Sequence, residues 1–441
     1  MSPLITAPAS FRIAHRVSTF PLPFHEGPTA TDWPTLHGPV RALLSRAPFH
    51  GRAAISRVRV HAPRIGLGVL VAIPVCNEAE RLERTLNALA LSLGELDEPS
   101  GILVLVNNTD DRTAEVAWNW AQTGDLSVAV VEARLGASIA DAGHARRLAL
   151  DLGALVVHHD AALLTTDGDT RVARDWAARL VGHVRGGASL AAGMIDVEPT
   201  EFAALPGEVH DVERVERALF REHARTWRLL VPNEPLALAL RVGGASLAVS
   251  AAAYRRVGGL PALAVCEDRA MVSRMIECDE RVVFDERALI RTSCRLEGRA
   301  AGGMAGMLLR RVREPDPHCD EALMPAHRFA ALCLAWRCLR ENGDQGERER
   351  IAALLQCHPE LLEARGSHGR AWTALLARLR PSDRLRASDV RREIGHSRAL
   401  RCLIEADAAR LRPAAMLQLL EQRSRAANTS ATPFREVIAH A

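Results

Sequence analysis

Between residues 69 and 197, short apolar runs alternate with helical patterns, and that alternation limits the folds open to this chain. In "GVLVAIPVCNEAERLERTLNALALSL", Val69–Val75 is an apolar run of strand length. Leu82, Leu86, Leu89 and Leu93 then recur at helical spacing. Asn77 stands where a cap for that helix belongs, with Glu80 three positions on, a capping-box spacing. The unit repeats as strand "GILVLVNN", turn and helix "TDDRTAEVAWNWAQ" and strand "LSVAVVEA". Helix "DAGHARRLALDLGA", strand "AALLTTDGD", helix "RVARDWAARLVGHV" and strand "ASLAAGMIDV" follow. Continuous apolar strands alternating with helices specify an α/β fold with a mostly parallel central sheet flanked by helices. Such sheets bind ligands at the carboxyl ends of their strands, which places Asn77, Asn107, Asn108, Asp167 and Asp169 on one rim.

The flanking regions read differently. Residues 1–66 are rich in Pro and Gly and form a poorly defined N-terminal extension to an α/β domain over 67–315. A charge-rich helix, "VERVERALFREHARTWRLL", marks residues 199–235 as a helical insertion. Residues 316–441 read as an all-helical C-terminal region, through segments such as "RFAALCLAWRCLREN".

Composition excludes several functions. The chain contains no lysine, so P-loop and Schiff-base chemistry are out of reach. Aromatics make up 4% with a single Tyr, and 56 basic residues face 53 acidic ones, so no nucleic-acid partner is expected. The 9 cysteines lie outside CxxC pairs and read as free thiols in a cytoplasmic protein. The most apolar stretch, residues 236–254, is broken by Arg241, Gly243 and Gly244; no transmembrane span is expected, which leaves peripheral membrane contact open.

The chemistry-bearing residues fall in clusters. Asp167-Gly168-Asp169 ends an apolar strand, either as an Asp-Gly turn or as hard oxygen ligands for Mg²⁺ or Mn²⁺. Asn77 and Glu78 follow Pro74, either capping a helix or hydrogen-bonding a nucleoside. Asn107 and Asn108 end the next strand, where small polar residues cradle a nucleoside or merely cap a turn. Glu267 and Asp268 open a helix, as favourable first-turn acids or as a seat for a general base. Arg291, Arg295 and Arg299 recur every four residues, a spacing that on a helix makes a guanidinium face for a diphosphate or an ordinary solvated face.

Taken in order, "IPVCNEAERLERTLNAL", "LVNNTDDRT", "GHARRLAL", "TTDGD", "GGASLAVSAAAYRRVGGL" and "CED" resemble the family 2 glycosyltransferases of the GT-A fold over residues 68–313. The resemblance implies that Pro74, Asn77 and Glu78 bind the donor nucleotide, and that Asn107 and Asn108 replace an Asp that commonly contacts the base. It implies that His144, Arg146 and Arg147 lie near the donor. Asp167-Gly168-Asp169 becomes the DXD motif, with Asp169 on the metal and Asp167 nearer the sugar. Gly243, Gly244 and Ala245 line the acceptor side, and Glu267-Asp268 becomes the "ED" motif with Asp268 as catalytic base. Arg295 and Arg299 lie in a segment that lacks the Trp of processive synthases, so polymer synthesis is not implied.

The expected function is transfer of a sugar, of hexosyltransferase type, from a nucleotide-diphosphate sugar to an acceptor hydroxyl, assisted by Mg²⁺ or Mn²⁺ and inverting the anomeric centre. The acceptor (saccharide, lipid-linked or small molecule) is left open. One alternative is a non-catalytic GT-A-like binding or scaffold protein. A sugar nucleotidyltransferase is the other, disfavoured because its Gly-rich start and catalytic Lys are missing.

Overall fold

The computed structural model describes residues 37–64, 66–232, 234, 243–296, 303–379, 384–407 and 416–422. Its strands are β1 (Ala53–His61), β2 (Val69–Val75), β3 (Ser100–Asn107), β4 (Ser127–Leu135), β5 (Ala162–Thr165), β6 (Arg171–Val172), β7 (Leu190–Val197), β8 (Leu247–Ser250) and β9 (Val282–Thr292). They form a 9-stranded sheet in the order β1-β4-β3-β2-β5-β8-β7-β9-β6.

Both faces of the sheet are covered, which is why its strands read as unbroken apolar runs. In β2, Val69, Val71, Ile73 and Val75 join one core with Leu82, Leu86 and Leu89 of helix Leu82–Leu93 and with Trp176 and Leu180 of helix Trp176–Arg185. Leu70 and Ala72 join the opposite core with Leu148 and Leu152 of helix Ala142–Val156. Burying each such Val, Leu or Ile contributes roughly 1.5–3 kcal/mol before chain entropy is counted.

The sheet is mixed around a parallel centre. Strands β4, β3, β2 and β5 run parallel, as do β7 and β9. Antiparallel pairings enter at β1, on both sides of β8, and at β6. Because β8 is antiparallel to both β5 and β7, strands β7 and β9 point the same way as β5. The carboxyl ends of β2, β3, β5, β7 and β9 and the amino end of β8 therefore share one rim.

Several expectations from the sequence need revision. Part of the supposed N-terminal extension belongs to the sheet: β1 pairs with β4 from Ala53↔Leu135 to His61↔Val128 and covers what would otherwise be an open edge. Asn77 does not cap the following helix, which starts at Leu82 after Arg81. Its φ of 52° turns the chain instead, and the backbone N–H groups of Arg81 and Leu82 reach the carbonyl of Glu78 at 3.0 and 2.9 Å. Arg291 lies in β9, so Arg291 and Arg295 share no helical face, while Arg299 lies outside the described residues.

The C-terminal helices continue the core of the sheet domain. Phe329, Leu332 and Trp336 of helix Ala326–Glu341, together with Trp372 of helix His368–Arg378, pack in the same cluster as Trp227 and Leu148. Helix Gly207–Leu230, the core of the insertion, is the bridge: Val212, Val215 and Leu219 meet Leu385 and Val390 on one side of it. Among the described residues, no helix is long and apolar enough to cross a membrane.

His223, on that bridging helix, is 1% exposed and stacks on Phe329 with ring centroids 4.0 Å apart. Burial depresses its pKa to about 3, so the folded protein holds a neutral imidazole. The unfolded chain takes up the proton first as pH falls below 6.5, so this contribution is complete above 6.5 and declines towards 3. From pH 7 to pH 5 the loss is about 2 kcal/mol at about 1.4 kcal/mol per pH unit. In His223→Leu, urea unfolding should show that part of the pH dependence gone; an unchanged slope would contradict it.

Candidate active site

The rim begins at the loop after β2. Glu78 is 6% exposed; its N–H donates to Thr113 Oγ1 at 2.8 Å, and that of Ala79 donates to Asp111 Oδ2 at 3.2 Å. Asn77 Oδ1 accepts from the N–H of Asp110 at 3.0 Å, so "NEA" and "NTDDRT" brace each other. Asn108, in the left-handed region at φ 50°, donates to the carbonyl of Leu135 at 2.8 Å and accepts from its N–H at 2.9 Å. That side chain clamps the end of β4 and is not presented to a base. Asn107 is 6% exposed at the end of β3, and Pro74 is the penultimate residue of β2.

Beside this loop pair, β5 delivers Asp167, Gly168 and Asp169. Gly168 is required by close approach and not by a positive φ: a Cβ there would lie 2.7 Å from Val75 Cγ1 and 3.2 Å from Glu78 Cγ. Its carbonyl accepts from Thr85 Oγ1 at 2.9 Å, pinning the turn to helix Leu82–Leu93. Asp169 accepts from Ser293 Oγ at 3.0 Å and Thr292 Oγ1 at 3.4 Å, at the carboxyl end of β9. Burial, then the negative charges of Asp167 and Glu78, push Asp169 up to about 6, against the pull of Arg295. Arg295 grips Glu78 with both terminal nitrogens, at 2.6 and 3.2 Å, and lies 3.1 Å from Asp169.

The facing side of the site is built from the segment leading into β8 and from the helix Glu267–Glu277. Asp268 Oδ2 accepts from the N–H of Gly244 at 2.6 Å, and its Oδ1 accepts from the N–H of Arg269 at 2.7 Å. The Arg269 side chain reaches Asp320 at 3.2 Å, tying this helix to the C-terminal region. Asp320 in turn donates its N–H to Glu216, part of a buried cluster in which Arg311 binds Glu213 and Glu216 at 2.9 and 2.5 Å.

Arg146 joins the two sides. Only 5% exposed, it donates to Asp167 Oδ1 at 2.8 Å, Glu267 Oε1 at 3.0 Å and the carbonyl of Gly244 at 3.0 Å. Gly244 is small because a Cβ would lie 2.8 Å from the Arg146 guanidinium carbon. Burial alone would depress the pKa of Arg146, but Asp167 and Glu267 outweigh it and hold the guanidinium above its ordinary value. Glu267 is pushed up by burial, against the pull of Arg146.

Other expected site residues do local work. The ring of His144 faces its own helix cap, with Nδ1 2.8 Å from Asp141 Oδ2. Arg147 binds Asp151 and the carbonyl of Gly258 at 3.0 Å, and Tyr254 donates to Asp151 at 2.7 Å. Asp111, Thr113, Thr292 and Ser293 escaped the sequence reading. The Asx-type spacing of Asp111 and Thr113 was a usable signal; nothing in "RTS" announces a contact with Asp169.

A divalent cation fits this site as a shared ligand. Among the described residues there is no group of three or more His, Cys, Asp or Glu able to hold a metal, so no all-protein cage is present. Asp169, crowded by two like charges, is the kind of carboxylate that holds Mg²⁺ or Mn²⁺ when a diphosphate and water supply the remaining ligands.

Arg146→Met should strand buried Glu267 without its cation and release the more exposed Asp167, at a cost of about 3–5 kcal/mol in urea unfolding at pH 8. The deficit should shrink as the pH is lowered, because burial favours the neutral carboxyl of Glu267; full stability at pH 8 would show that Arg146 is no strut.

Structural similarity is found to a mannosyltransferase of Pyrobaculum calidifontis in complex with GDP-Man and Mn²⁺, with 16% identity, a TM-score of 0.40, and 82% of this chain and 81% of the other covered. It is also found to TarS 1-349 of S. aureus in complex with UDP-GlcNAc, with 13% identity, a TM-score of 0.39, and 82% and 92% covered. A third is glucosyl-3-phosphoglycerate synthase of Mycobacterium tuberculosis with Mn²⁺, UDP and phosphoglyceric acid, with 17% identity, a TM-score of 0.32, and 56% and 77% covered. No curated protein matches the chain. The model of the family described as glycosyl transferase family 2 matches residues 70–241, which hold the Glu78 loop, Arg146 and the Asp167–Asp169 turn, and over this part the chain is similar to that family.

Proposed function

We propose that the protein transfers a sugar from a nucleotide-diphosphate sugar to an acceptor hydroxyl in one inverting displacement. One observation carries the reading: a single buried guanidinium, Arg146, ties the DGD turn to the ED helix, so the two carboxylate pairs face one rim with separate surroundings. The nucleotide lies against the Asn77–Glu78 loop, and its diphosphate lies over Asp167 and Asp169. Mg²⁺ or Mn²⁺ on Asp169 would supply charge neutralisation of the leaving diphosphate.

Asp268 takes the acceptor proton. The N–H groups of Gly244 and Arg269 fix the orientation of its carboxylate, and the helix start presents it to the rim. As the acceptor oxygen bonds to the anomeric carbon, the bond to the diphosphate breaks, the nucleoside diphosphate leaves, and the proton passes to Asp268. Attack from the side opposite the leaving group inverts the configuration. Arg146 does not touch the donor in this scheme; it sets the distance between the two sides.

The test is a donor screen with UDP-, dTDP- and GDP-sugars and Mn²⁺, followed by NMR of the product. An inverted anomeric centre is expected, and retention would remove Asp268 from its role. Turnover with none of the donors would favour a binding or scaffold protein. Asp268→Asn should lower transfer by roughly 10²–10⁴-fold with nucleotide binding unchanged. Asp169→Asn should erase the Mn²⁺-dependent part of the thermal shift given by UDP or GDP; a retained Mn²⁺ effect would place the cation elsewhere.

A further inference from the structure

We propose that Arg295 is a resident counter-cation of the ligand-free site, and that a divalent cation gains Asp169 only by exchange with it. The inference rests on the donor and cation site proposed above. Among the described residues, Arg146 and Arg295 lie against the carboxylates of Glu78, Asp167 and Asp169, and they differ in mobility. Arg146 is 5% exposed and fastened to Asp167, Glu267 and the Gly244 carbonyl, so it cannot leave. The Arg295 side chain is 23% exposed and stands three residues beyond the end of β9, on backbone without regular structure.

Its contacts lie where an incoming cation must sit. Nη2 of Arg295 is shared between Glu78 Oε1 at 2.6 Å and Asp169 Oδ2 at 3.1 Å. The same Asp169 oxygen also accepts from Ser293 at 3.0 Å, so one of the two oxygens a metal would use is taken. A divalent ion placed on Asp169 would lie within a few ångströms of the guanidinium, and like charges at that distance repel strongly in a half-buried site. Cation and Arg295 are therefore mutually exclusive on Asp169.

A diphosphate resolves the competition. Its oxygens offer the planar, bidentate partner that a guanidinium prefers, so Arg295 can turn from the carboxylates to the leaving group without losing charge compensation. The predicted order of events is that the cation alone binds weakly, and that donor and cation bind together. The exchange also moves a positive charge from the protein's own carboxylates onto the group that acquires charge during transfer.

The test measures Mn²⁺ alone by electron paramagnetic resonance of the free ion, on the full chain without nucleotide. Arg295→Met should bind Mn²⁺ at least tenfold more tightly than wild type, with Arg295→Lys between the two. The enhancement of Mn²⁺ affinity by UDP or GDP should be smaller in Arg295→Met than in wild type. Equal or weaker Mn²⁺ binding by a folded Arg295→Met overturns the exchange, as does nucleotide binding by wild type that is indifferent to chelator, which would make Arg295 a permanent substitute for the metal. Loss of cooperative unfolding in both variants would make Arg295 a structural strut and overturn it too. Wild type that binds neither UDP nor GDP with Mn²⁺ would instead remove the proposed function.

Discussion

The site depends on one buried guanidinium. Arg146 is held by Asp167, Glu267 and the carbonyl of Gly244, which come from β5, from a helix about a hundred residues later, and from the approach to β8. Taking such charges out of water is costly, and a pair of this kind persists only when geometry and hydrogen bonds compensate. Here the return is positional. The Asp167–Asp169 turn and the helix that carries Asp268 are set against a common rigid reference, and the absence of a side chain at Gly244 lets the guanidinium approach.

Topology makes that meeting possible. In a sheet parallel throughout, the segment before β8 would start at the far edge, away from the rim. Because β8 runs against both β5 and β7, its amino end, with Gly243 and Gly244, arrives beside Asp167. β9 then returns parallel to β7 and ends with Thr292 and Ser293 against Asp169. The helix Glu267–Glu277 is fastened from behind through Arg269 and Asp320, so the C-terminal helices and the bridging helix Gly207–Leu230 stiffen the Asp268 side of the site.

Much of this was legible in the amino-acid order. The strands β2, β3, β4, β5 and β7 announced themselves as apolar runs, because two covered faces leave no polar alternation to confuse the reading. Glu78, Arg146, Asp167, Asp169, Gly244, Glu267, Asp268 and Arg295 are all found along one rim or in the network behind it. What escaped was of two kinds. β1 was lost because "AISRVRVHA" alternates as an exposed edge strand does, within a stretch judged by its Pro and Gly content. Partner choice was the other: local sequence shows that Asn77, Asn108 and His144 are polar residues near a helix start or strand end. Only the fold shows Asn108 spent on Leu135, His144 on Asp141, and Asn77 on the loop beside it. Gly168 illustrates the same limit, since its smallness answers to Val75 and Glu78 across the site and not to its own turn.

The central claim is that the two carboxylate pairs have separate tasks, Asp167 and Asp169 with the donor and its cation, Asp268 with the acceptor. Anomalous diffraction from crystals grown with Mn²⁺ and the nucleoside diphosphate that binds tests it most directly. A single Mn²⁺ peak is expected at direct coordination distance from Asp169 and from the diphosphate, with Arg295 off Asp169 and Asp268 free of metal on the opposite wall. A peak on Asp268, or a bound diphosphate with no Mn²⁺ at Asp169, would contradict it.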